Sequence, residues 1–255
     1  MRSPTEIYNS IYEEAKKDPN IIGFFLSGSR GKGFETKYSD YDTYIIVKDK
    51  VVKEYKERYP FQKFKGIDLI VFSYSEFKDY APWGSPDAFY RYGFANVKVL
   101  IDKNGEIQEI VNRMARVPKT ALSKFIAGAL DGYINFLYRS LKCIRDGDIE
   151  AARLEAATSI PYFLDVIFAI HDRRLRPYYK YLKWELNSFP LKKISISSKE
   201  IIENLMRILD TADYKAQQYF LKNTESTLRK EGFGEVFDSW GDEFLWMKNF
   251  KPSEE

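Results

Sequence analysis

The apolar positions of this chain follow two different rhythms, and the change falls between residues 105 and 118. At the start, Ile7, Ile11 and Ala15 recur at helical spacing. Short apolar runs then alternate with polar stretches. IIGFFLS, YDTYIIV, GIDLIVFS and NVKVLID read as strands, the first apolar enough to be buried on both faces. VVKEYKERY, between the second and third, predicts a short charged helix. WGSPDAFYRYGF, punctuated by Pro, Gly and Ser, predicts a loop with helical turns, and DKNG closes the fourth strand as a turn.

From Pro118 the period lengthens. KTALSKFIAGALDGYINFLYRSLKCIRDG predicts a long amphipathic helix stopped at Gly147. DIEAARLEAATSIPYFLDVIFAIHDRR predicts a second, capped by Asp148 and open to a kink at Pro161. PYYKYLKWELNSF predicts a third, and SSKEIIENLMRILDTADYKAQQYFLKNT a fourth, read as one helix. The expected organisation is an α/β (α+β) domain over 1–117 built on a small mixed sheet, with EIQEIVNRMARV as the connection, and an all-helical bundle over 118–255.

Composition narrows the class. With 44% hydrophobic and 30% charged residues, the 255-residue chain reads as globular rather than disordered. No run approaches the ~20 apolar residues of a membrane span, and the polar, acidic N-terminal stretch is unlike a secretory signal. The single cysteine, Cys143, excludes an internal disulfide and a multi-cysteine zinc site, and reads as a small core residue; a cytoplasmic setting is the expectation. The single histidine, His171, excludes a histidine-rich metal site and reads as a helix-end residue. A net charge of only +3 argues against nucleic acid as a partner.

The chemistry concentrates in FFLSGSRGKGFETKYSDYDTYIIVKD, from Phe24 to Asp49. Asp40 and Asp42 are two apart, so a strand would turn both to one face. Their mutual repulsion calls for a cation, and oxygen-only ligation suits Mg2+. Asp68, near the start of GIDLIVFS, would complete a three-carboxylate cluster if its strand lay beside that of Asp42. Such a cluster suits phosphoryl or nucleotidyl transfer. Upstream, Gly28 lets the backbone approach a phosphate, and Ser29 offers a hydroxyl and an amide. A helix N-terminus after them would add its dipole. Arg30 and Lys32 are cations placed where a triphosphate would pass; a surface or structural arginine is an equal reading of Arg30, and Lys32 reads first as a solvated loop residue.

Gly-Ser followed by Asp-x-Asp, with a further acid on a later strand, resembles the signature of the nucleotidyltransferase superfamily that includes DNA polymerase beta. The resemblance covers roughly residues 20–105. Chain length and the helical second half make the layout similar to the small nucleotidyltransferases that modify aminoglycoside or lincosamide antibiotics. The resemblance implies an enzyme that uses Mg2+ and ATP. Asp40, Asp42 and Asp68 would be its catalytic metal ligands, with Asp68 alternatively the general base, and Gly28, Ser29 and Arg30 would contact the nucleotide phosphates. A small-molecule hydroxyl acceptor is implied, and both monomers and homodimers occur among such enzymes. In several of them an acid on the helical domain deprotonates the acceptor, which singles out Asp131 and Glu155.

Other readings remain open. Minimal nucleotidyltransferases also act as antitoxin-type regulators that modify a protein partner. The arginine-to-histidine pattern of their ribonuclease partners is missing upstream of His171, where Asp165, Val166 and Ile167 stand instead. HDRRLRPYYKYLKWEL interleaves cations with aromatics, but reads first as an amphipathic helix with its rings buried and its charges wet. Tyr74, Tyr80, Trp83 and Phe89 are candidates to line an acceptor pocket near Asp68.

Overall fold

A computed structural model describes residues 2–252 of the chain. The chain divides into two compact units, Met1–Arg116 and Val117–Glu255.

The first unit opens with α1 (Pro4–Lys17). Ser3 caps this helix by accepting from Glu6 N, and the Glu6 carboxylate accepts in return from Ser3 N at 2.7 Å. Then follow β1 (Ile21–Leu26), the single turn α2 (Gly28–Gly31), β2 (Tyr41–Val47), α3 (Val52–Arg58), β3 (Ile67–Ser73), α4 (Tyr74–Lys78), a 3-10 stretch over Pro86–Phe94, β4 (Val99–Asp102) and α5 (Ile107–Met114). The four strands form one mixed sheet ordered β3-β2-β1-β4. β1 pairs antiparallel with β2 and β4, while β2 and β3 run parallel.

Helices cover both faces of the sheet, which is why β1 carries an almost unbroken apolar run. On one face Tyr8, Ile11 and Ala15 of α1 and Tyr55 of α3 pack on Phe24, Ile45 and Leu69. On the other, Phe77 of α4 and Ile107, Ile110 and Val111 of α5 pack on Phe25, Tyr44 and Ile46. The fourth strand is shorter than the run NVKVLID predicts. At its start the side chain of Gln108 replaces a strand partner, accepting from Val99 N at 2.8 Å and donating to Val97 O at 3.2 Å.

The second unit is helical throughout its named elements: α6 (Leu122–Arg145), α7 (Ile149–Ala169), α8 (Tyr179–Ser188), α9 (Ser198–Thr211), α10 (Tyr214–Lys230), α11 (Gly234–Asp238) and α12 (Gly241–Asn249). Asp148 caps α7 as expected, accepting from Ala151 N, and the helix runs on through Pro161. The Ser140 hydroxyl of α6 donates to Ala152 O of α7, tying the two long helices together inside the unit. The fourth predicted helix is two helices. Ala212 takes a left-handed φ of 52° that ends α9, and Asp213 caps α10 by accepting from Ala216 N at 2.9 Å. The helical period continues across this break and hides it, although Thr-Ala-Asp holds a capping residue in plain view. The short helices α11 and α12 are not anticipated by the periodicity reading.

The basic and aromatic run is amphipathic only in part: Tyr181, Leu182 and Leu186 are buried and Lys180 and Lys183 are exposed, but of the rings expected inside, Tyr179 is exposed and Tyr178 and Trp184 are half-buried. Its arginines are structural. Arg174 pairs with the buried Glu185 at 2.8 Å, and Arg176 with Asp165 at 2.9 Å. Cys143, expected in the core, is only partly buried. Among the described residues, no helix is long and apolar enough to cross a membrane.

Candidate functional site

The strand register assembles the acids. β2 and β3 start level, with Tyr41 opposite Ile67 and Asp42 opposite Asp68. Residues opposite one another in a ladder turn their side chains to the same face. Asp42 therefore lies in line with Tyr44 and Ile46, on the face covered by α4 and α5, and Asp68 in line with Ile70 and Phe72. Asp40 sits one residue ahead of β2. Asp40, Asp42 and Asp68 each bring a carboxylate oxygen within 4.8 Å of the others. Asp40 is exposed, and the other two are half-buried.

Burial and the nearby Asp40 charge push the Asp68 carboxyl above the usual carboxylate range, opposed by a hydrogen bond from the Gln62 side chain. Gln62 gives no signal in the sequence. It comes near Asp68 because the segment before β3 folds back along that strand, with Leu69 N donating to Phe61 O at 2.8 Å.

The glycine-bearing loop reaches the same place from β1. Gly28 has φ +59°, a left-handed conformation favouring glycine, and a Cβ there would overlap the Asp42 carboxylate. The turn therefore lies directly against one acid of the cluster. Ser29 lies in the turn, and its carbonyl accepts from Phe34 N at 2.9 Å. The helix that follows is a single turn of four residues, too short to add the dipole expected of a helix N-terminus.

The two cations of the loop have structural partners. Arg30 donates from Nε and Nη2 to Ser39 O at 3.1 and 2.8 Å and from Nε to Asp40 O at 3.1 Å, with its guanidinium over the Tyr41 ring. It thereby holds the backbone that presents Asp40. Lys32 is not the solvated residue expected: it is only 7% exposed and donates to main-chain carbonyls of Tyr92, Gly93 and Ala95. Those partners lie about sixty residues on in the chain, beyond the reach of any local motif.

The remaining candidates are more scattered. Tyr74 donates to Glu106, and Tyr80 packs between Phe72 and Phe94. Trp83 lies under the Arg91 guanidinium, while Phe89 is 60% exposed beside Tyr90. In the helical unit, Asp131 accepts from Trp240 Nε1 at 3.0 Å, and Glu155 pairs with Arg139 at 2.6 Å. His171 is buried after α7. Its Nδ1 lies 2.6 Å from Ile167 O and its Nε2 accepts from Lys193 N, so the ring is neutral, as burial and the neighbouring Arg174 and Lys193 favour.

A family model described as a nucleotidyltransferase domain matches residues 9–128. No curated protein matches the chain. Among solved structures, a nucleotidyltransferase-like protein from Exiguobacterium sibiricum 255-15 aligns over 94% of this chain and 78% of its own, with 10% identity and a TM-score of 0.41. An aminoglycoside 6-adenyltransferase from Bacillus subtilis aligns over 96% of this chain and 99% of its own, with 14% identity and a TM-score of 0.34.

Proposed function

We propose that this chain, whose residues 9–128 match a nucleotidyltransferase-domain model, is an enzyme that moves a nucleoside monophosphate from ATP to a hydroxyl of a small acceptor. The new bond joins the acceptor oxygen to the α-phosphorus, the bond to the β-phosphate oxygen breaks, and pyrophosphate leaves. The observation that carries this reading is the meeting of three carboxylates with a glycine turn that only a residue without Cβ can make.

The donor set of Asp40, Asp42 and Asp68 is oxygen-only and anionic, which fits Mg2+. When bound there, Mg2+ neutralises charge on the phosphates and lowers the pKa of the acceptor oxygen. The rest falls to the chain. Gly28 and Ser29 bring backbone and hydroxyl to the donor's phosphates. Arg30 keeps the Asp40 backbone in place. Asp68 completes the donor set or, alternatively, takes the acceptor's proton as general base. The acceptor we favour is a small hydroxyl-bearing molecule, aminoglycoside-like ones included.

The test is pyrophosphate release from ATP and Mg2+ across a panel of hydroxyl acceptors, with α-labelled ATP to follow the transferred group. Label on a small molecule is expected. Label on a polypeptide would instead favour the protein-modifying alternative. With the accepted acceptor, Asp42→Asn is expected to lower turnover by at least about a thousand-fold with an unchanged circular dichroism spectrum. Turnover near the wild-type rate in that variant would remove the metal assignment.

A further inference from the structure

Lys32 lies four residues beyond Gly28, and its side chain is carried into the protein rather than toward solvent. Its ammonium donates to Tyr92 O and Gly93 O, each at 3.3 Å, and to Ala95 O, and lies 4.8 Å from the centre of the Tyr92 ring. A buried ammonium is costly unless dipoles replace its hydration. Three convergent carbonyls and an aromatic face are such a replacement. Those carbonyls belong to the end of the 3-10 stretch Pro86–Phe94 and to the residue just after it.

A second tie joins the same segments. The Ser27 hydroxyl, 5% exposed, donates to Gly93 O at 2.8 Å, so one carbonyl receives from both ends of the turn. Within the turn, Gly31 N donates to Ser27 O at 2.8 Å and Gly33 N to Arg30 O at 3.2 Å. The geometry points to Lys32 as a positioning residue: its charge, through the carbonyls of Tyr92, Gly93 and Ala95, fixes the Gly28–Ser29 turn against Asp42 and so sets the grip on the donor's phosphates. The last step rests on the proposed nucleotide reading. The pinning of the turn does not. Because the same stretch carries the exposed Phe89 and Tyr90, the pin also ties the phosphate turn to an aromatic ledge.

The test compares wild type with Lys32→Met, which keeps length and bulk but not charge, and with Lys32→Ala. Hydrogen–deuterium exchange reads the pin, and calorimetry with Mg2+ and a non-hydrolysable ATP analogue reads the grip. Lys32→Met is expected to speed exchange in peptides covering 28–33 and 92–95, and to weaken analogue binding by about ten-fold. Excess propylammonium is expected to restore slow exchange in those peptides of Lys32→Ala, where 1-butanol does not. If Lys32→Met exchanges like wild type, or if butanol restores Lys32→Ala as well as the ammonium does, the proposal is wrong. If Lys32→Met proves too unstable to compare, the rescue of Lys32→Ala decides alone, and failure of the ammonium to restore it overturns the pin. If wild type itself fails to bind the analogue, the nucleotide reading falls, and exchange still judges the pin.

Discussion

At the scale of single residues, the site depends on how closely unlike demands are packed together. Gly28 gives up its side chain so that Asp42 can stand where a Cβ would be. Gly28→Ala is expected to cost about 1–2 kcal/mol from the left-handed φ alone, and to displace the Asp42 carboxylate. Both the urea midpoint and the transfer rate should therefore fall. Asp68 presents the opposite case, a group whose ionised form the fold disfavours. Its folded pKa is raised, so the native state holds the proton more tightly than the unfolded chain does. The penalty is full above the folded value and is relieved as pH falls through it. Asp68→Asn is accordingly expected to raise the metal-free Tm at pH 7 by about 2 °C while removing transfer. That gain should shrink as pH falls through the Asp68 range, and thermal scans across pH would show it. Asp40, Asp42 and Gly28 are legible in the sequence because their logic is local. Lys32 and Gln62 are not: one bonds to carbonyls at Tyr92–Ala95, and the other reaches Asp68 through a reversal of the chain.

At the scale of elements, capping decides what periodicity cannot. The apolar rhythm that runs from Ser198 to Lys230 is compatible with one rod, yet Ala212 turns left-handed and Asp213 starts a new helix. Asp213 also pairs with Arg207 of the preceding helix at 2.6 Å, so one carboxylate secures both the start of α10 and the angle of the break. Asp213→Ala is expected to cost about 1 kcal/mol through the cap, seen as a fall of about 2–4 °C in Tm, with Asp213→Asn retaining most of the cap. The sheet gives the contrasting lesson. The apolar runs of β1, β2 and β3 are legible because a strand covered on both faces must be apolar throughout. The shortening of β4 is not, since it follows from Gln108 standing in for a strand at Val97–Val99.

At the scale of the whole molecule, stability as a function of pH sums contributions from both units. His171 is neutral in the folded protein, and its pKa is depressed by burial first and by Arg174 and Lys193 after that. The unfolded chain takes up the proton first, so stability is expected to fall as pH drops below about 6.5, until the folded value is passed. His171→Gln should flatten that part of the Tm profile between about pH 7 and 5. By itself the sequence determined the division of character between a sheet-bearing first half and a helical second half, because each period records which faces are buried. It also singled out the three acids and the glycine turn as candidates that the fold brings together, because a charge cluster and a missing Cβ are properties of residue type. Only the tertiary structure decided that Asp42 stands opposite Asp68, since register belongs to a pair of strands and to neither alone. It likewise decided that Lys32 is an internal pin, since the carbonyls that make a buried charge tolerable come from a distant segment.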